Sequence, residues 1–491
     1  MPILCSVIMG ISDVHELVFD KFKDRKFVVV SNREPYVHDY MDGKISCSNP
    51  AGGLTAALDP VLQAIRGTWV AGGSGSADRD VVDENDCIQV PPDNPKYTLK
   101  RVWLEKELVE GYYMGFSNQV IWPLCHLVFH QPVFEKRFWL DYKFGNEKFA
   151  EACLDVVENK KAGIWIHDYH LSLCPKLIRK RKKGIKLAHF WHIPFPQPRV
   201  LETCPWAEDI LSGLLSNDLI GFHTEEHKKN FISSCVEILG ADGDFEKGEI
   251  ELGKQTTKVG VYPISIDYES MAKKSKKRGV IKEMKKRREA NHYNHIALGV
   301  DRVDYTKGII ERLKAIDRFL EKYPEYIRKF VYVELGAPSR TIIPDYRKLN
   351  EEIDRLVDEI NWKYLSTPWK PIHYIRKKLS RSEVLAYYRI ADVCIVSSLD
   401  DGMNLVAKEF LAAQKAEDHG ILLLSRFAGA ANELKEALLI NPYNREEFAD
   451  CIKYALEMSE SEKTKRMKNL KSVVRTSNIY KWVYDFISDA F

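Results

Sequence analysis

The stretch Asp400-Asp401-Gly402-Met403-Asn404-Leu405-Val406-Ala407-Lys408-Glu409 follows an apolar run, Val393-Cys394-Ile395-Val396-Ser397-Ser398. Such a run, closed by a glycine turn, predicts a buried strand, and the helix formers from Leu405 to Gln414 predict a helix after it. Strand, turn and helix in that order are the repeating unit of parallel α/β sheets. The free backbone N–H groups of Gly402, Met403, Asn404 and Leu405 would then point out of a helix N-terminus, where an anion is held. Glu409 lies four residues after Leu405 and three after Val406, on the face behind the turn. There its carboxylate can accept two hydrogen bonds from a sugar or ribose diol. Asp400 and Asp401 also have a plainer reading as helix caps, and this stretch alone does not separate the two.

The same unit repeats along the chain. Short β-branched runs at Lys26–Ser31, Thr68–Val70, Gly163–His167, Leu187–Ile193, Leu219–His223 and Val259–Ile264 alternate with segments of helical period. A lysine-rich helical stretch, Ser270 to Asn291, precedes a second series at His295–Val300, Phe330–Leu335, Ile372–Ile375, Val393–Ser398, Gly420–Ser425 and Leu438–Ile440. The fold class expected is therefore α/β, with two doubly wound domains. The boundary falls near Pro263 to Glu269, and a cleft is expected at the carboxyl ends of the strands. Residues 1–265 form the first domain, with 1–25 as an extension, and 266–475 the second. The last segment, 476–491, carries Tyr480, Trp482, Val483, Phe486 and Ile487 at helical spacing and reads as an amphipathic helix docked back on the first domain.

At 491 residues the chain is too long for one ordinary core. Lys+Arg at 73 against Asp+Glu at 70 leaves a formal charge of only +3, which argues against nucleic acid as a partner, so any basic site must be local. No Lys or Arg precedes the apolar start Pro2–Ile11, and Asp13 follows it, so no export signal is expected. No later run reaches the length of a membrane span. A cytoplasmic protein with no membrane partner is the expectation, and the ten cysteines, mostly single within apolar segments, read as reduced thiols.

Charged and aromatic residues gather at the predicted strand ends. Arg302 and Lys307, in Asp301-Arg302-Val303-Asp304-Tyr305-Thr306-Lys307-Gly308, suit a diphosphate leaving group, one as a planar fork and the other as a compact charge. In the first half, Trp165-Ile166-His167-Asp168-Tyr169-His170 and Trp191-His192-Ile193-Pro194 place an acid and several histidines past buried strands. That grouping raises a zinc reading, but the spacing matches no helical metal motif, and hydrogen bonding to sugar hydroxyls suits it better. Both His167 and His192 also have a reading as core histidines. Ser31-Asn32-Arg33 ends the first strand with a cation, and Pro50-Ala51-Gly52-Gly53-Leu54 supplies a glycine turn. Tyr112, Tyr113 and Trp122 are either a platform for a hexose ring or core.

Taken together, these segments resemble the trehalose-6-phosphate synthases, retaining glycosyltransferases of the GT-B fold, from about Phe27 to the C-terminus. The resemblance is carried by Ser31-Asn32-Arg33, Ala51-Gly52-Gly53-Leu54, Trp165 to Leu171, His192-Ile193-Pro194-Phe195-Pro196, Arg302 to Gly308, Asp401 to Glu409, and Phe427-Ala428-Gly429-Ala430-Ala431-Asn432-Glu433-Leu434. It implies transfer of glucose from a nucleotide-diphosphate glucose, UDP-glucose first, to glucose 6-phosphate. In that likeness Arg302 and Lys307 hold the donor diphosphate and Glu409 the ribose. The backbone of Gly402, Met403, Asn404, Leu405 and Val406 takes the phosphates, while Asp401 and His192 hold the transferred glucose. Gly53 approaches the donor closely. Arg33, Tyr113, Trp122 and Arg340 hold the acceptor, with Asp168 orienting its hydroxyl.

The resemblance further implies no cofactor and no metal, because cations and a helix N-terminus neutralise the leaving group. One departure bears on the acceptor: Ala71-Gly72-Gly73-Ser74-Gly75 has Gly73 where the family places a tryptophan, which predicts an altered pocket. Glycerol 3-phosphate is the alternative acceptor, and a silent nucleotide-sugar sensor the alternative role. Arg340 in Ala337-Pro338-Ser339-Arg340 favours glucose 6-phosphate, and the retained Arg302, Lys307, Asp401, Glu409 and Asp168 favour an enzyme. The donor base and any homo-oligomer stay open at this stage.

Overall fold

The computed structural model describes residues 8–49, 53–158, 160–290, 294–366, 369–415 and 420–491. The chain divides into two compact units, Met9–Ile264 with Ile479–Phe491 in one and Ser265–Asn478 in the other. Among the described residues no helix is long and apolar enough to cross a membrane, and the described cysteines are free thiols.

The first unit is built on a ten-stranded sheet. Its parallel centre runs in the order Gln255–Val261, Leu219–Phe222, Lys186–Phe190, Ala162–His167, Lys26–Arg33, Thr68–Gly72 and Tyr97–Val102. Antiparallel strands close both edges: Cys87–Val90 on one, Asp242–Asp244 and Glu249–Leu252 on the other. From Lys26–Arg33 the chain first winds one way and then, from Ala162–His167, the other. The reversal opens a crevice between those two strands, and Arg33 and Asp168 stand at its two sides.

In the second unit six parallel strands take the order Ile372–Ile375, Phe330–Ala337, His295–Arg302, Val393–Val396, Ile421–Ser425 and Leu438–Ile440. The winding reverses between His295–Arg302 and Val393–Val396, so Arg302 ends one flanking strand and the Ser397-to-Asp401 turn leaves the other. Both sheets thus bring the charged strand ends to their switch points, where α/β sheets hold ligands.

Several expectations need correction. The predicted strand Leu187–Ile193 stops at Phe190, leaving His192 in the turn beyond. The lysine-rich stretch is two helices, Tyr268–Ser275 and Arg278–Ala290. Strands were missed at Val37–Met41 and Lys44–Ser48, a hairpin whose turn residues Asp42 and Gly43 both have positive φ as an Asp-Gly turn requires. Tyr97–Val102 was missed because it carries Lys100 and Arg101; both are buried, and Arg101 lies 2.9 Å from Glu34 and 2.6 Å from Asp78.

The ends of the first unit pack on each other. Helix Ile479–Ala490 turns Trp482 and Phe486 onto Trp165, with ring centres 5.1 and 4.7 Å apart. Helix Ile11–Phe22 brings Phe22 to Phe491 at 5.2 Å. Each helix has one apolar stripe, and these contacts bury it against the sheet face.

Candidate active site

In the second unit the turn after His295–Arg302 is set by its own side chains. Asp304 Oδ1 accepts the backbone N–H of Thr306 at 3.1 Å and its hydroxyl at 3.0 Å, and Gly308 then opens helix Ile309–Lys322. Gly308 has φ +62°, and a Cβ there would lie 2.2 Å from the Ser397 carbonyl oxygen, so only glycine lets the turn pass the neighbouring strand end. The turn delivers Lys307 Nζ to Asp401 Oδ2 at 2.6 Å. Asp401 Oδ2 also accepts the Ser398 hydroxyl and the Asn404 amide, each at 3.1 Å.

The helix cap is Asn404, at φ +77°, whose Oδ1 accepts the Ala407 N–H; neither Asp400 nor Asp401 caps helix Leu405–Ala413. Asp401 is therefore held for another purpose, as a charge beside Lys307. Glu409 lies on that helix, and the sequence did not reveal its partners: Arg381 donates to both of its oxygens at 2.8 and 3.2 Å, and the Tyr388 hydroxyl donates at 3.1 Å. A diol approaching Glu409 would share the carboxylate with Arg381.

Arg340, which the resemblance assigns to the acceptor phosphate, also has partners within its own unit. Its side chain is only 4% exposed, and Nη1 reaches the buried Asp304 Oδ2 at 3.1 Å and the Tyr346 hydroxyl at 2.6 Å. Arg302 Nη2 stands 3.9 Å from the same Asp304 oxygen. Burial would raise the Asp304 carboxyl, but Arg340, Arg302 and Lys307 outweigh it and hold the group below the usual carboxylate range. Arg340 is thus the close ion-pair partner of Asp304, with Arg302 and Lys307 acting on it from further away.

In the first unit Arg33 Nη2 donates to the Tyr113 hydroxyl at 2.8 Å, and Tyr113 stacks on His170 with rings 5.6 Å apart. Arg33 is exposed, while the residue after it is anchored: Glu34 accepts from Arg101 Nε at 2.9 Å and from the Ser74 N–H at 2.8 Å. Burial and the neighbouring Asp78 push the Glu34 carboxyl up to about 8. This buried cluster of Glu34, Asp78, Arg101 and His38 escaped the sequence reading; its signal was a pair of charges inside the run Tyr97–Val102.

Asp168 sits at φ +73°, a strained conformation for a residue with a Cβ. Its N–H bonds to the Phe190 carbonyl at 2.7 Å, and its Oδ1 accepts the His192 N–H at 3.2 Å. His192 Nε2 is 3.0 Å from His167 Nδ1. Burial, with His167 and His223 nearby, holds His192 far below the usual imidazole range, so it is neutral and can both donate and accept. His167 is fully buried, a core residue that supports His192.

Of the three candidate platform aromatics, Tyr112 belongs to the core. It is fully buried, with its ring 5.8 Å from that of Tyr142. Trp122 is 5% exposed and packs on His126 and Tyr169. Tyr113 and Trp122 are spaced by a wide helical segment, Glu110–Ile121, in which Ser117, Asn118 and Gln119 side chains bond carbonyls five residues back. Gly53 opens helix Gly53–Ile65, whereas Pro50, Ala51 and Gly52 lie outside the described residues.

Gly73 does not leave an open space. A Cβ there would lie 2.4 Å from the Trp103 ring, whose Nε1 bonds Asp86 at 2.7 Å and whose face carries Arg79 at 4.5 Å. The indole is supplied from the neighbouring strand end. Gly73→Trp should therefore displace Trp103 and cost about 1–3 kcal/mol of stability. Gly73→Trp/Trp103→Gly should recover most of it, as read by denaturant midpoints. A fully stable single variant would show that the space is not filled.

Among the described residues no group of three or more His, Cys, Asp or Glu side chains is placed to hold a metal ion.

Comparison with known proteins gives one consistent likeness. The profile of Glycosyltransferase family 20 matches residues 25–491. The trehalose-6-phosphate synthase of Mycobacterium marinum is 36% identical over 475 residues, covering 95% of this chain and 94% of that protein. The bifunctional trehalose-6-phosphate synthase/phosphatase of Thermoproteus tenax is 38% identical over 475 residues, covering 94% of this chain, which spans 63% of that longer protein. A trehalose-6-phosphate structure from E. coli bound with UDP-2-fluoro glucose superposes with a TM-score of 0.85 at 32% identity, over 95% of this chain and 98% of that one. An alpha,alpha-trehalose-phosphate synthase (UDP-forming) from Burkholderia xenovorans in complex with glucose-6-phosphate does so with a TM-score of 0.85 at 29% identity, over 95% and 99%.

Proposed function

The chain belongs to glycosyltransferase family 20, that of the trehalose-6-phosphate synthases, with the GT-B fold, and from this we propose that it transfers glucose from UDP-glucose to glucose 6-phosphate, forming trehalose 6-phosphate. The observation that carries this reading is the pair Lys307–Asp401 at the switch point of the second unit, beside Arg302 and the N-terminus of helix Leu405–Ala413. A departing diphosphate needs positive charge, and a transferred glucose needs an acceptor for its hydroxyls. Lys307, Arg302 and the helix N-terminus supply the first, and Asp401 the second; His192, in the first unit, is assigned to the glucose by the family resemblance. The E. coli structure holding a UDP-glucose analogue and the Burkholderia structure holding glucose-6-phosphate support both substrates.

In this reading Glu409 takes the ribose hydroxyls, and Gly53 comes close to the donor. On the acceptor, Arg33 and Arg340 take the phosphate, Tyr113 and Trp122 the ring, and Asp168 the attacking hydroxyl. The leaving phosphate oxygen accepts that hydroxyl's proton as the new glycosidic bond forms on the same face. Configuration is retained without the carboxylate pair that retaining glycosidases use.

The test is to incubate the purified protein with UDP-, GDP- and ADP-glucose against glucose 6-phosphate and glycerol 3-phosphate, identifying products by mass spectrometry. Trehalose 6-phosphate from UDP-glucose is expected, and preference for glycerol 3-phosphate would overturn the acceptor. No metal takes part in this reading, so activity should survive exhaustive chelation. Loss on chelation with recovery on adding Mg²⁺ or Mn²⁺ would overturn it.

A further inference from the structure

Beneath the Lys307 turn lies a fully buried arginine, Arg312, on helix Ile309–Lys322. A guanidinium has five N–H donors in a fixed fork, and here each has an acceptor within reach. Nε donates to Ser397 Oγ at 2.8 Å; Nη1 to the Tyr332 hydroxyl and Glu334 Oε2, both at 3.1 Å; Nη2 to Asp301 Oδ2 at 2.6 Å and to the Lys307 carbonyl at 3.2 Å. Ser397 Oγ in turn stands 3.1 Å from the Lys307 carbonyl and 3.0 Å from that of Gly308. The two carbonyls at the end of the turn are therefore held from below, while the Lys307 ammonium is held from above by Asp401.

Stability alone does not account for this arrangement. Burying one guanidinium with two carboxylates carries a desolvation cost that well-packed apolar residues avoid. Part of that cost is visible at Asp301, whose carboxyl burial raises to about 6 even though Arg312 opposes the shift. What the network does secure is the geometry of two strand ends and the helix start at the switch point: Asp301 is the last residue but one of one flanking strand, Ser397 follows the other, and Arg312 bonds to both.

We propose that Arg312, acting through Ser397, is a positioning residue that fixes the Lys307 turn so that its ammonium meets the donor diphosphate. The proposal rests on the donor reading given above. If it holds, removing the Ser397 hydroxyl weakens diphosphate binding only while Lys307 is there to be positioned.

The experiment is a double-mutant cycle on UDP affinity, measured by titration calorimetry with the full chain, using Ser397→Ala, Lys307→Ala and both together. Ser397→Ala should weaken UDP about tenfold in the unmodified background and leave Lys307→Ala unchanged, since coupled residues are not additive. An equal loss in both backgrounds, or no loss in either, overturns the proposal while the donor site stands. If the unmodified protein binds no UDP, the donor reading fails and takes the proposal with it. Should Ser397→Ala not fold, Ser397→Cys, which leaves no cavity and weakens the hydrogen bond, takes its place in the same cycle.

Discussion

Lys307→Ala is expected to lower turnover at saturating substrates by about 150- to 5,000-fold, with Arg302→Ala in the same range. The figure is the loss of one desolvated charge-assisted contact to the leaving group, about 3–5 kcal/mol, at tenfold per 1.36 kcal/mol. The Lys307 side chain is 12% exposed and Asp401 14%. The pair is therefore shielded enough for its charge to be worth several times what a surface cation is worth. The lysine variant has a second fault, because Asp401 loses the Lys307 ammonium, which the neutral Ser398 and Asn404 do not replace. Its carboxylate would then repel the diphosphate it is meant to sit beside. Release of UDP, followed at saturating donor and acceptor, measures the effect. Near-normal turnover in either variant would remove the donor-site assignment.

What could be read from the sequence was whatever depends on residues close together in it. Apolar runs ending in charged residues gave away the strands at the switch points, because there the residues at or just past the strand end are also the candidate-site residues, as at Arg33, Asp168, Arg302 and Lys307. Contacts between distant segments were not legible. Arg381 reaches Glu409 across 28 positions and Arg101 reaches Glu34 across 67. In each case an arginine on a helix or strand gives the same local signal as a solvated one. Arg312 is the extreme example: Ile310-Glu311-Arg312 reads as an ordinary helix surface, yet the guanidinium is wholly buried. The cap of helix Leu405–Ala413 fell to Asn404 rather than an aspartate because Asn404 directly precedes the first helical residue, whereas Asp400 and Asp401 lie further upstream in the turn.

Arg340→Ala should do more than raise the KM for glucose 6-phosphate. An arginine gripping only a substrate phosphate could be removed without harm to the empty protein, but Arg340 is nearly buried against Asp304. Removing one partner of a buried pair strands the other, at about 3–5 kcal/mol. The sign of the pH effect follows. In the unmodified protein the Asp304 carboxyl is held below its ordinary range, so its contribution to stability is present above the unfolded-state pKa and is lost as the pH falls through the folded one. Arg340→Ala lifts that carboxyl, so the variant should lose stability chiefly at neutral pH and differ least from the unmodified protein in acid. Because Asp304 also caps the turn bearing Lys307 and lies near Arg302, UDP affinity should fall as well. Arg340→Ala/Asp304→Asn separates the two roles: the amide keeps the Oδ1 that accepts Thr306 but removes the stranded charge, so the denaturant midpoint should recover. If the KM for glucose 6-phosphate stays high after that recovery, Arg340 binds the acceptor phosphate. If it returns with stability, the arginine serves only to neutralise Asp304, and Arg33 is left to hold the phosphate.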